Sequence, residues 1–482
     1  MRTNATQRLQ AETAGLQALR NLGLPSSPMV RGLLLACAGL LAAGFLSGAE
    51  YRVTDIAPVW SGHPVNFALL TRGEAQFVAF YDAARQMTVA QRQLGHGAWR
   101  FKKLPTSIKW DGHNAVMLGL DRADRLHVSG NMHNVPLIYF RAERPLDINS
   151  LAAVHRMTGM DEQKVTYPVF FSGPNGELVF SYREGRSGRG DTLYNVYDEG
   201  PRTWRRLTAG SILSGENRMN AYPLPPFRGP DGFYHLSWVW RDTGGADSNH
   251  DLSYARSRDL VHWETIDGRP LALPITVRSP GSIVDPVPVK GGIINSSGRV
   301  GFDAANRVVI AYHKYDTRGN TQLYLARFEG GAWRRYQASQ WDYRWEFGKG
   351  GSLPFDIRHG SVTPSGTSLV IPIQHVKHGS GVWEIDPTTM RFTTVGPARG
   401  SGLPDELTRV RSAFPGMGVR WAEDFRDGPN AARFLPNLAT RTHDPDYLLR
   451  WETLDFNGDQ PRDLPWPDAT VLQVVELSHA QP

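Results

Sequence analysis

Short apolar segments alternate with turns of Asp, Gly, Asn and Pro along the chain from residue 50 onward. Five of these segments directly follow such a turn, 52 to 74 residues apart, and begin at Leu126, Leu178, Tyr234, Val308 and Leu369. Turns that contain tryptophan also recur, at Trp99, Trp204, Trp263, Trp333 and Trp383. An imperfect repeat of roughly fifty to sixty residues is typical of a β-propeller, because each four-stranded blade needs its neighbours to cover both faces. We therefore predict an all-β propeller.

Two further segments indicate how such a propeller is built. Residues 257–263 match the Ser-x-Asp…Trp core of the sialidase-type Asp-box without its glycine, which predicts a structural turn between outer strands of a blade. Apolar segments also lie near both ends of the exported chain, at residues 50–56, 447–453 and 470–476. We expect them to share one blade, because pairing the first and last segments closes the ring and removes open sheet edges.

The stretch from Asp111 to Arg141 carries two His-Asn pairs around one hairpin. The hairpin reads as a buried strand, a polar turn and a returning strand, at residues 116–120, 121–125 and 126–129. Residues before the first strand and after the second lie at the same end of a hairpin, so His113-Asn114 and His133-Asn134 are expected to share a rim. We predict that this rim is functional and that His127, within the returning strand, is structural.

Composition agrees with many short strands. The 482 residues include 49 Gly, 33 Pro and 14 Trp, and only 21% are charged, which suits short strands better than long helices. The single cysteine, Cys37, leaves no thiol for disulfides, catalysis or zinc beyond it. Half of the net charge of +6 comes from four arginines and one glutamate before residue 50. The mild positive charge of the rest suits a polyanionic substrate but is too weak and dispersed for nucleic-acid binding.

Residues 29–49 have a basic start, an apolar run of about fifteen residues and a small-residue exit, which are the three parts of a secretory signal. The run is short for a membrane span. We therefore expect residues 1–49 to be an N-terminal extension with a signal segment, and residues 50–482 to form a single catalytic propeller domain. The mature chain should begin near Glu50, lack cysteine and have no stable association with a membrane. A membrane-anchored form and lipidation at Cys37 are the alternatives.

Polar and aromatic clusters fall at corresponding places in successive repeats, where a propeller would gather them around one end of its axis. They lie at residues 182–190, 220–222, 238–241, 249–251 and 312–316. Arginine, tyrosine and two histidines suit β-elimination at a uronic acid, because a guanidinium holds the carboxylate while an imidazole or phenol moves the protons. Arg241, at the end of an apolar strand, is the candidate for the carboxylate.

Several of these side chains also have structural roles open to them. Trp238 and Trp240 alternate along a strand and suit blade packing at least as well as a sugar platform. Tyr222 suits a loop anchor as well as an active-site residue, and His250 suits an orienting contact with Asp251. No spacing of His, Glu and Asp matches a strong metal motif. We predict no cofactor for the chemistry and leave a structural metal ion open.

Several segments in one order resemble the BNR-repeat family that includes ulvan lyases. The likeness spans roughly residues 113–352, and a weaker one lies at residues 449–468. The segments are DGHNAVMLGLD, GNMHNVPLIYFR, FSYREGRSGRGD, NRMNAYP, HLSWVWRDTGG, NHDLSYARSRDLVHW, IAYHKYD, SQWDYRWEFGKGGS and LRWETLDFNGDQPRDLPWPD. The resemblance implies a seven-bladed propeller that cuts ulvan, an algal polysaccharide of sulfated rhamnose and uronic acid, by β-elimination.

Site residues follow from the resemblance by position. His113 and His133 match the family's paired active-site histidines, Tyr222 the acid/base tyrosine and Arg241 the arginine that neutralises the carboxylate. Tyr182 is the other tyrosine that fits the acid/base position. Where some relatives carry a cysteine for a structural zinc, this chain has Ser253, so no zinc is predicted there. We expect further substrate contacts from Asn114, Asn134, Tyr182, Arg183, Trp240, His250, Tyr312 and His313.

Three functions compete on the sequence alone. The leading one is a secreted or periplasmic polysaccharide lyase, a monomer, that acts on an anionic, uronate-containing and sulfated glycan. The second is a sialidase-like glycoside hydrolase, for which Glu184 and Asp251 are the candidate carboxylates. The third is a non-catalytic carbohydrate-binding propeller, which would keep the aromatic residues and Arg241 but would not need both histidines.

Overall fold

The computed structural model describes most of the chain after residue 49, at residues 50–96, 98–348, 350–400, 402–426 and 444–478. These residues belong to one compact unit. Its only described helices are single turns, at Ile148–Ser150, Ala246–Ser248 and Asp405–Thr408, and no helix in these ranges is long and apolar enough to span a membrane. The prediction of an all-β chain is confirmed. The expected signal segment lies outside the described residues.

Seven antiparallel sheets contain the described strands. Sheet I holds β2 to β5, at Ala68–Arg72, Ala75–Tyr81, Gln86–Gln93 and Arg100–Ser107. Sheet II holds β6, β7, β9 and β10, at Val116–Leu120, Leu126–Gly130, Tyr139–Ala142 and Leu151–Ala153. Sheet III holds β8 and β11 to β15, at His133–Val135, Val165–Ser172, Leu178–Arg186, Arg189–Asp198, Thr203–Arg206 and Leu213–Ser214.

The next three sheets also come from successive parts of the chain. Sheet IV holds β16 to β22, at Asn220–Pro223, Phe227–Arg228, Tyr234–Arg241, Asn249–Ser257, Trp263–Glu264, Pro270–Leu271 and Ile283–Asp285. Sheet V holds β23 to β26, at Arg299–Phe302, Val308–Tyr315, Thr321–Glu329 and Ala332–Gln337. Sheet VI holds β27 to β30, at Ile357–His359, Thr363–Ser365, Ser368–His375 and Gly379–Ile385.

The remaining sheet, here the closing sheet, joins the two ends of the described chain. It holds β1 and β31 to β33, at Glu50–Val59, Met417–Glu423, Asp446–Leu454 and Thr470–Ser478. Strand β1 pairs with β33 from Glu50 opposite Ser478 to Val59 opposite Thr470. The prediction that the first and last segments share a blade is confirmed. Six sheets from successive segments and this closing sheet make up the propeller arrangement.

The five repeating apolar segments are the second or central strands of five sheets. Four of them, β7, β12, β18 and β24, begin at the predicted residue, and β29 begins one residue early, at Ser368. Such strands are largely buried because neighbouring sheets cover both of their faces; all eight residues of β18 are buried. The first hairpin is also as predicted, since β6 and β7 pair from Val116 opposite Gly130 to Leu120 opposite Leu126.

The Asp-box is a structural turn, as predicted. It links the outer strands β19 and β20 of sheet IV. Ser257 Oγ accepts a hydrogen bond from the Leu260 amide at 2.8 Å, and Asp259 Oδ1 accepts one from the His262 amide at 2.8 Å. Trp263 Nε1 donates to the Leu260 carbonyl at 3.0 Å. The motif therefore satisfies the polar groups of one turn and has no place in the chemistry.

First strands of neighbouring sheets contact each other. Strand β6 contacts β2 and β11, and β2 contacts β31 of the closing sheet, so these strands line the axis. In antiparallel sheets the residues before a first strand and those after a second strand lie at the same end. This end of the axis receives residues 111–115 before β6, residues 131–135 after β7, the end of β12 and the end of β18.

Candidate functional site

Asp111 joins the two predicted active-site histidines. The Nδ1 atom of His113 lies 2.7 Å from Asp111 Oδ1, and the Nδ1 atom of His133 lies 2.6 Å from Asp111 Oδ2. Because a carboxylate only accepts, each imidazole donates its Nδ1–H to its own oxygen. The two rings stack, with centroids 4.1 Å apart and planes 27° apart. The structure thus brings the two His-Asn pairs to one rim, as the hairpin predicts.

Local backbone structure places each histidine. His113 lies in a tight turn before β6, where its own amide donates to Asp111 Oδ1 at 2.9 Å and the Asn114 amide donates to the Asp111 carbonyl at 3.3 Å. His133 begins β8, which leaves sheet II and pairs with β11 of sheet III, with His133 opposite Thr166. The imidazole pair therefore sits at the junction of sheets II and III.

Tyr222 is held by two guanidinium groups. Its hydroxyl oxygen accepts hydrogen bonds from Arg183 Nη1 and Arg241 Nη1, each at 3.3 Å, and lies 2.8 Å from Ser187 Oγ. Tyr222 lies on β16 and Arg241 ends β18 of the same sheet, whereas Arg183 comes from β12 of sheet III. All three side chains are buried. Two neighbouring sheets thus aim positive charge at one phenol.

Tyr167, which the sequence analysis did not identify as a site residue, connects the histidines to Tyr222. Its ring centroid lies 5.8 Å from that of His113 and 5.9 Å from that of Tyr222. The pairing of β11 with β12 shifts between Thr166 and Val169, and Tyr167 has a φ of 57°. This bulge interrupts the alternation of side chains between the two faces of the strand and so changes the direction of the Tyr167 ring. Pro168 inside an apolar strand was the available signal, because proline within a sheet marks an edge or a bulge.

Burial and nearby charges move the pKa values of the site's ionisable groups in different directions. Burial alone would raise the pKa of the Tyr222 phenol, but Arg183 and Arg241 outweigh it and hold that pKa below its ordinary value. Burial raises the pKa of Tyr167. Although burial acts to lower the pKa of His113, its contacts with Asp111 and Asp459 raise it to about 9. The surroundings therefore favour loss of the proton from Tyr222 and retention of the proton on His113.

Asn114 and Asn134 have mainly backbone contacts. Tyr81 donates its hydroxyl to the Asn114 carbonyl at 2.7 Å. The Asn134 amide donates to Thr166 Oγ1 at 2.9 Å, and Asn134 has a φ of 57° that lets β8 turn toward sheet III. Both residues lie beside the histidines, so their predicted contact with substrate stays a prediction.

Of five other predicted substrate contacts, four are buried with internal partners, which argues against direct contact with substrate, and the fifth, at His250, stays a prediction. Four of these side chains are at most 1% exposed, namely Tyr182, Trp240, Tyr312 and His313. Their partners are internal: Arg206 Nη1 donates to the Tyr182 hydroxyl, Trp240 packs edge-on against Trp238, Tyr312 donates to Asp285, and His313 contacts the Gly292 carbonyl. His250 has both ring nitrogens in contact with carboxylates, those of Asp242 and Asp251. The recurrence of polar and aromatic clusters in successive repeats did not show which of these side chains neighbouring sheets cover.

His127 is structural, as its position inside β7 predicts. It is fully buried, and its Nδ1 atom lies 2.7 Å from the Tyr139 hydroxyl. Replacing His127 by glutamine should lower the free energy of unfolding by about 1 to 3 kcal/mol, because the ring packing and the buried hydrogen bond are lost together. Thermal unfolding measures this loss, and activity per folded molecule should stay at the parent level. Unchanged stability combined with lost activity would contradict this role.

One group of side chains in the described ranges brings three atoms of metal-ligand type within 4.8 Å of one another, and it is Asp111, His113 and His133. Both Nδ1 atoms already donate to Asp111, and the carboxylate divides its two oxygens between them. We assign these contacts to imidazole–carboxylate hydrogen bonds and identify none of the three as a metal ligand. The expectation that the chemistry needs no cofactor stays a prediction.

Residues 75–341, more than half of the chain, match the model of a BNR repeat-containing family. The chain belongs to this family. No curated protein matches this BNR-repeat protein. Three solved structures share its fold at 13% sequence identity. Two are of an ulvan lyase from a new polysaccharide lyase family, one of them bound to -[GlcA(1-4)Rha3S]-, and each has a TM-score of 0.56 with 87% of this chain and 95% of that chain covered. The third is polysaccharide lyase Uly1, with a TM-score of 0.58 and coverage of 90% and 94%.

Proposed function

We propose that this BNR-repeat protein is a polysaccharide lyase that cleaves a uronate-containing, sulfated glycan of the ulvan type by β-elimination. The observation that carries the proposal is the Tyr222 hydroxyl, which accepts from two guanidiniums beside a pair of imidazoles held by one carboxylate. Elimination needs this combination, because a base must act next to a positive charge that stabilises the developing enolate.

In the proposed reaction the uronate carboxylate lies against Arg183 and Arg241. The proton on C5 of the uronate becomes more acidic, because the guanidiniums stabilise the negative charge that builds up on the carboxylate oxygens. Tyr222, as phenolate, takes the C5 proton. The C4–O4 bond then breaks, the C4–C5 double bond forms, and the leaving O4 receives a proton from His113. The two products are a new reducing end, whose anomeric hydroxyl contains the former O4 oxygen, and a second fragment that ends in the unsaturated uronate.

The charges of the site support these roles. Tyr222 has a pKa below its ordinary value, as a base requires, and His113 has a pKa of about 9, which keeps it protonated at neutral pH. Tyr167, whose pKa burial raises, stays a neutral phenol between them. His133 orients Asp111 by occupying its second oxygen.

The site's carboxylates favour elimination over hydrolysis. A glycoside hydrolase needs a carboxylic acid that stays protonated to serve the leaving group. Burial acts to raise the pKa of Asp111, but the hydrogen bonds from His113 and His133 hold that pKa well below its usual range. The carboxylates that the sequence offered for hydrolysis have other partners, because Glu184 accepts from the Lys164 amide and Asp251 pairs with His250.

Incubation of purified residues 50–482 with a panel of polysaccharides tests the proposal. The panel needs ulvan, desulfated ulvan, alginate and polygalacturonate, each with and without a chelator. Ultraviolet absorbance should rise with ulvan, because elimination conjugates the new C4–C5 double bond to the carboxylate, and the chelator should not change the rate. New reducing ends without absorbance would identify a hydrolase, and retention on the polymer without cleavage would identify a binding protein.

We also propose that the protein is exported and that its mature chain begins near Glu50. The support is the three-part segment at residues 29–49. N-terminal sequencing of the exported form checks this, and a mature chain that still contains Cys37 would contradict it.

A further inference from the structure

Asp459 brings a second carboxylate to His113 from the far end of the chain. It lies between β32 and β33 of the closing sheet. Its Oδ2 atom accepts from the Ser352 amide at 2.7 Å and lies 3.3 Å from His113 Nδ1. Its Oδ1 atom accepts from the Gly112 amide at 2.9 Å and lies 3.3 Å from His63 Nε2. One carboxylate thus contacts three segments from different parts of the chain, at His63, at residues 112–113 and at Ser352.

The backbone around Asp459 fixes this carboxylate in place. Asp459 has a φ of 62° and follows Gly458 with a φ of 74°, so the chain makes a left-handed turn there. The Gly458 amide donates to the Ser352 carbonyl at 2.9 Å. A Cβ atom on Gly112 would come within 2.6 Å of the Phe456 ring and 2.8 Å of Ser352 Oγ. These three segments are therefore in close contact around the carboxylate, which has backbone amides from two of them as donors.

We propose that Asp459 is a positioning residue that acts through His113: it holds this imidazole in the orientation and the charged form from which it protonates the leaving oxygen. The inference rests on the proposed function for that last step. In addition, the closing sheet supplies a charged residue to the site. The site is therefore complete only when the two ends of the propeller have joined.

The ionisable groups around His113 explain why a second carboxylate is needed there. The ionisable groups that face His113 are Asp111 on its own turn, His133 from β8, Tyr167 from β11, Tyr222 from β16 and Asp459, which has His63 behind it. Asp111 alone would balance one charge across two stacked imidazoles. Asp459 gives His113 a second carboxylate, whereas Asp111 is shared with His133.

The pKa values of His113 and Asp459 are displaced in the directions that this geometry predicts. Burial acts to lower the pKa of His113, and Asp111 and Asp459 together reverse that effect. Burial likewise acts to raise the pKa of Asp459, whereas its contacts with His113 and His63 hold it well below the usual range. An opposite charge at this range typically shifts a pKa by about one to three units.

The test is Asp459→Asn, which keeps a side-chain oxygen for one of the two backbone amides and removes the charge. The matched control is Asp455→Asn, because Asp455 lies on the same loop and its carboxylate pairs with Arg420 at 2.6 Å instead of with a histidine. Histidine labelled with carbon-13 at Cε1 reports the titration of His113 directly, and its signal is assigned by its loss in His113→Gln. We expect the His113 midpoint to fall by about one pH unit or more in Asp459→Asn and to stay at the parent value in Asp455→Asn.

Activity gives a second readout. The loss of kcat at high pH should begin about one unit lower in Asp459→Asn, with KM within about twofold of the parent, and Asp459→Glu should restore part of the difference. An unchanged His113 midpoint in folded Asp459→Asn would overturn the proposal. If that variant does not fold, the parent protein decides, because a His113 midpoint at or below the ordinary imidazole value also overturns it. The titration needs no substrate, so absence of lyase activity would reject the proposed function and leave this inference standing or falling by itself.

Discussion

Replacing Tyr222 by phenylalanine should lower the release of unsaturated product by about a hundredfold or more, which is the usual contribution of a general base. The phenol oxygen is the one atom that Arg183, Arg241 and Ser187 all approach. Phenylalanine keeps the ring contact with Tyr167 and removes only that oxygen, so the fold should survive. The measurement is ultraviolet absorbance on the substrate that the parent cleaves, together with thermal unfolding of the variant.

Tyr182→Phe is the matched control for this change. Tyr182 also accepts from an arginine, Arg206 Nη1 at 2.9 Å, and it was the other candidate for the acid/base tyrosine. Its contact lies within sheet III and apart from the histidines, so its loss should reduce stability slightly and leave the rate unchanged. If Tyr182→Phe lost activity and Tyr222→Phe kept it, the proton transfer would belong to a different part of the molecule.

The fold was predictable from short-range patterns. The starts of β7, β12, β18 and β24 follow from a turn directly before an apolar run, and the Asp-box turn follows from Ser257, Asp259 and Trp263. Pairing of β1 with β33 followed from a general argument about open edges. In each case the determinants lie within a few residues of one another or at the chain ends, where sequence position itself is informative.

Contacts between sheets were less predictable. The sequence predicted the histidines, Tyr222, Arg183 and Arg241 as candidates, and the structure brings these five together. It did not predict Tyr167, whose position depends on a bulge, or Asp459, which is 346 residues from His113 along the chain. Neither a single strand's periodicity nor a local motif contains this information.

Burial explains why four of the predicted substrate contacts lie inside the protein. The clusters that contain Trp240 and Tyr312 recur at corresponding places in successive repeats, but this recurrence does not show which side chains neighbouring sheets cover. Here neighbouring sheets cover both faces, and Trp240, Tyr182, Tyr312 and His313 are all internal. Aromatic and polar residues on the central strands of this fold are therefore poor guides to the substrate site, whereas residues at strand ends, such as Arg241, are better ones.

The second large effect is expected at Arg241, where replacement by asparagine should lower kcat/KM by about a hundredfold. Its guanidinium is fixed in place, because Nε donates to the Gly245 carbonyl at 3.1 Å and Nη2 to the Gly244 carbonyl, while Nη1 faces Tyr222. Lysine has no fork to make these three contacts, so Arg241→Lys should not restore the rate. Arg256→Asn is the control, since Arg256 lies at the other end of sheet IV and pairs with Glu264 at 2.8 Å.

A methyl-esterified substrate separates the two effects of Arg241. If the guanidinium mainly neutralises the uronate carboxylate, esterification removes the charge that it binds, and the difference between the parent and Arg241→Asn should shrink. If it mainly holds Tyr222 as phenolate, the difference should persist on the ester, and the low-pH limit of activity should move upward in the variant because Tyr222 then keeps its proton longer. Full activity of Arg241→Asn on both substrates would leave Arg183, which approaches Tyr222 at the same 3.3 Å, as the group that holds the carboxylate.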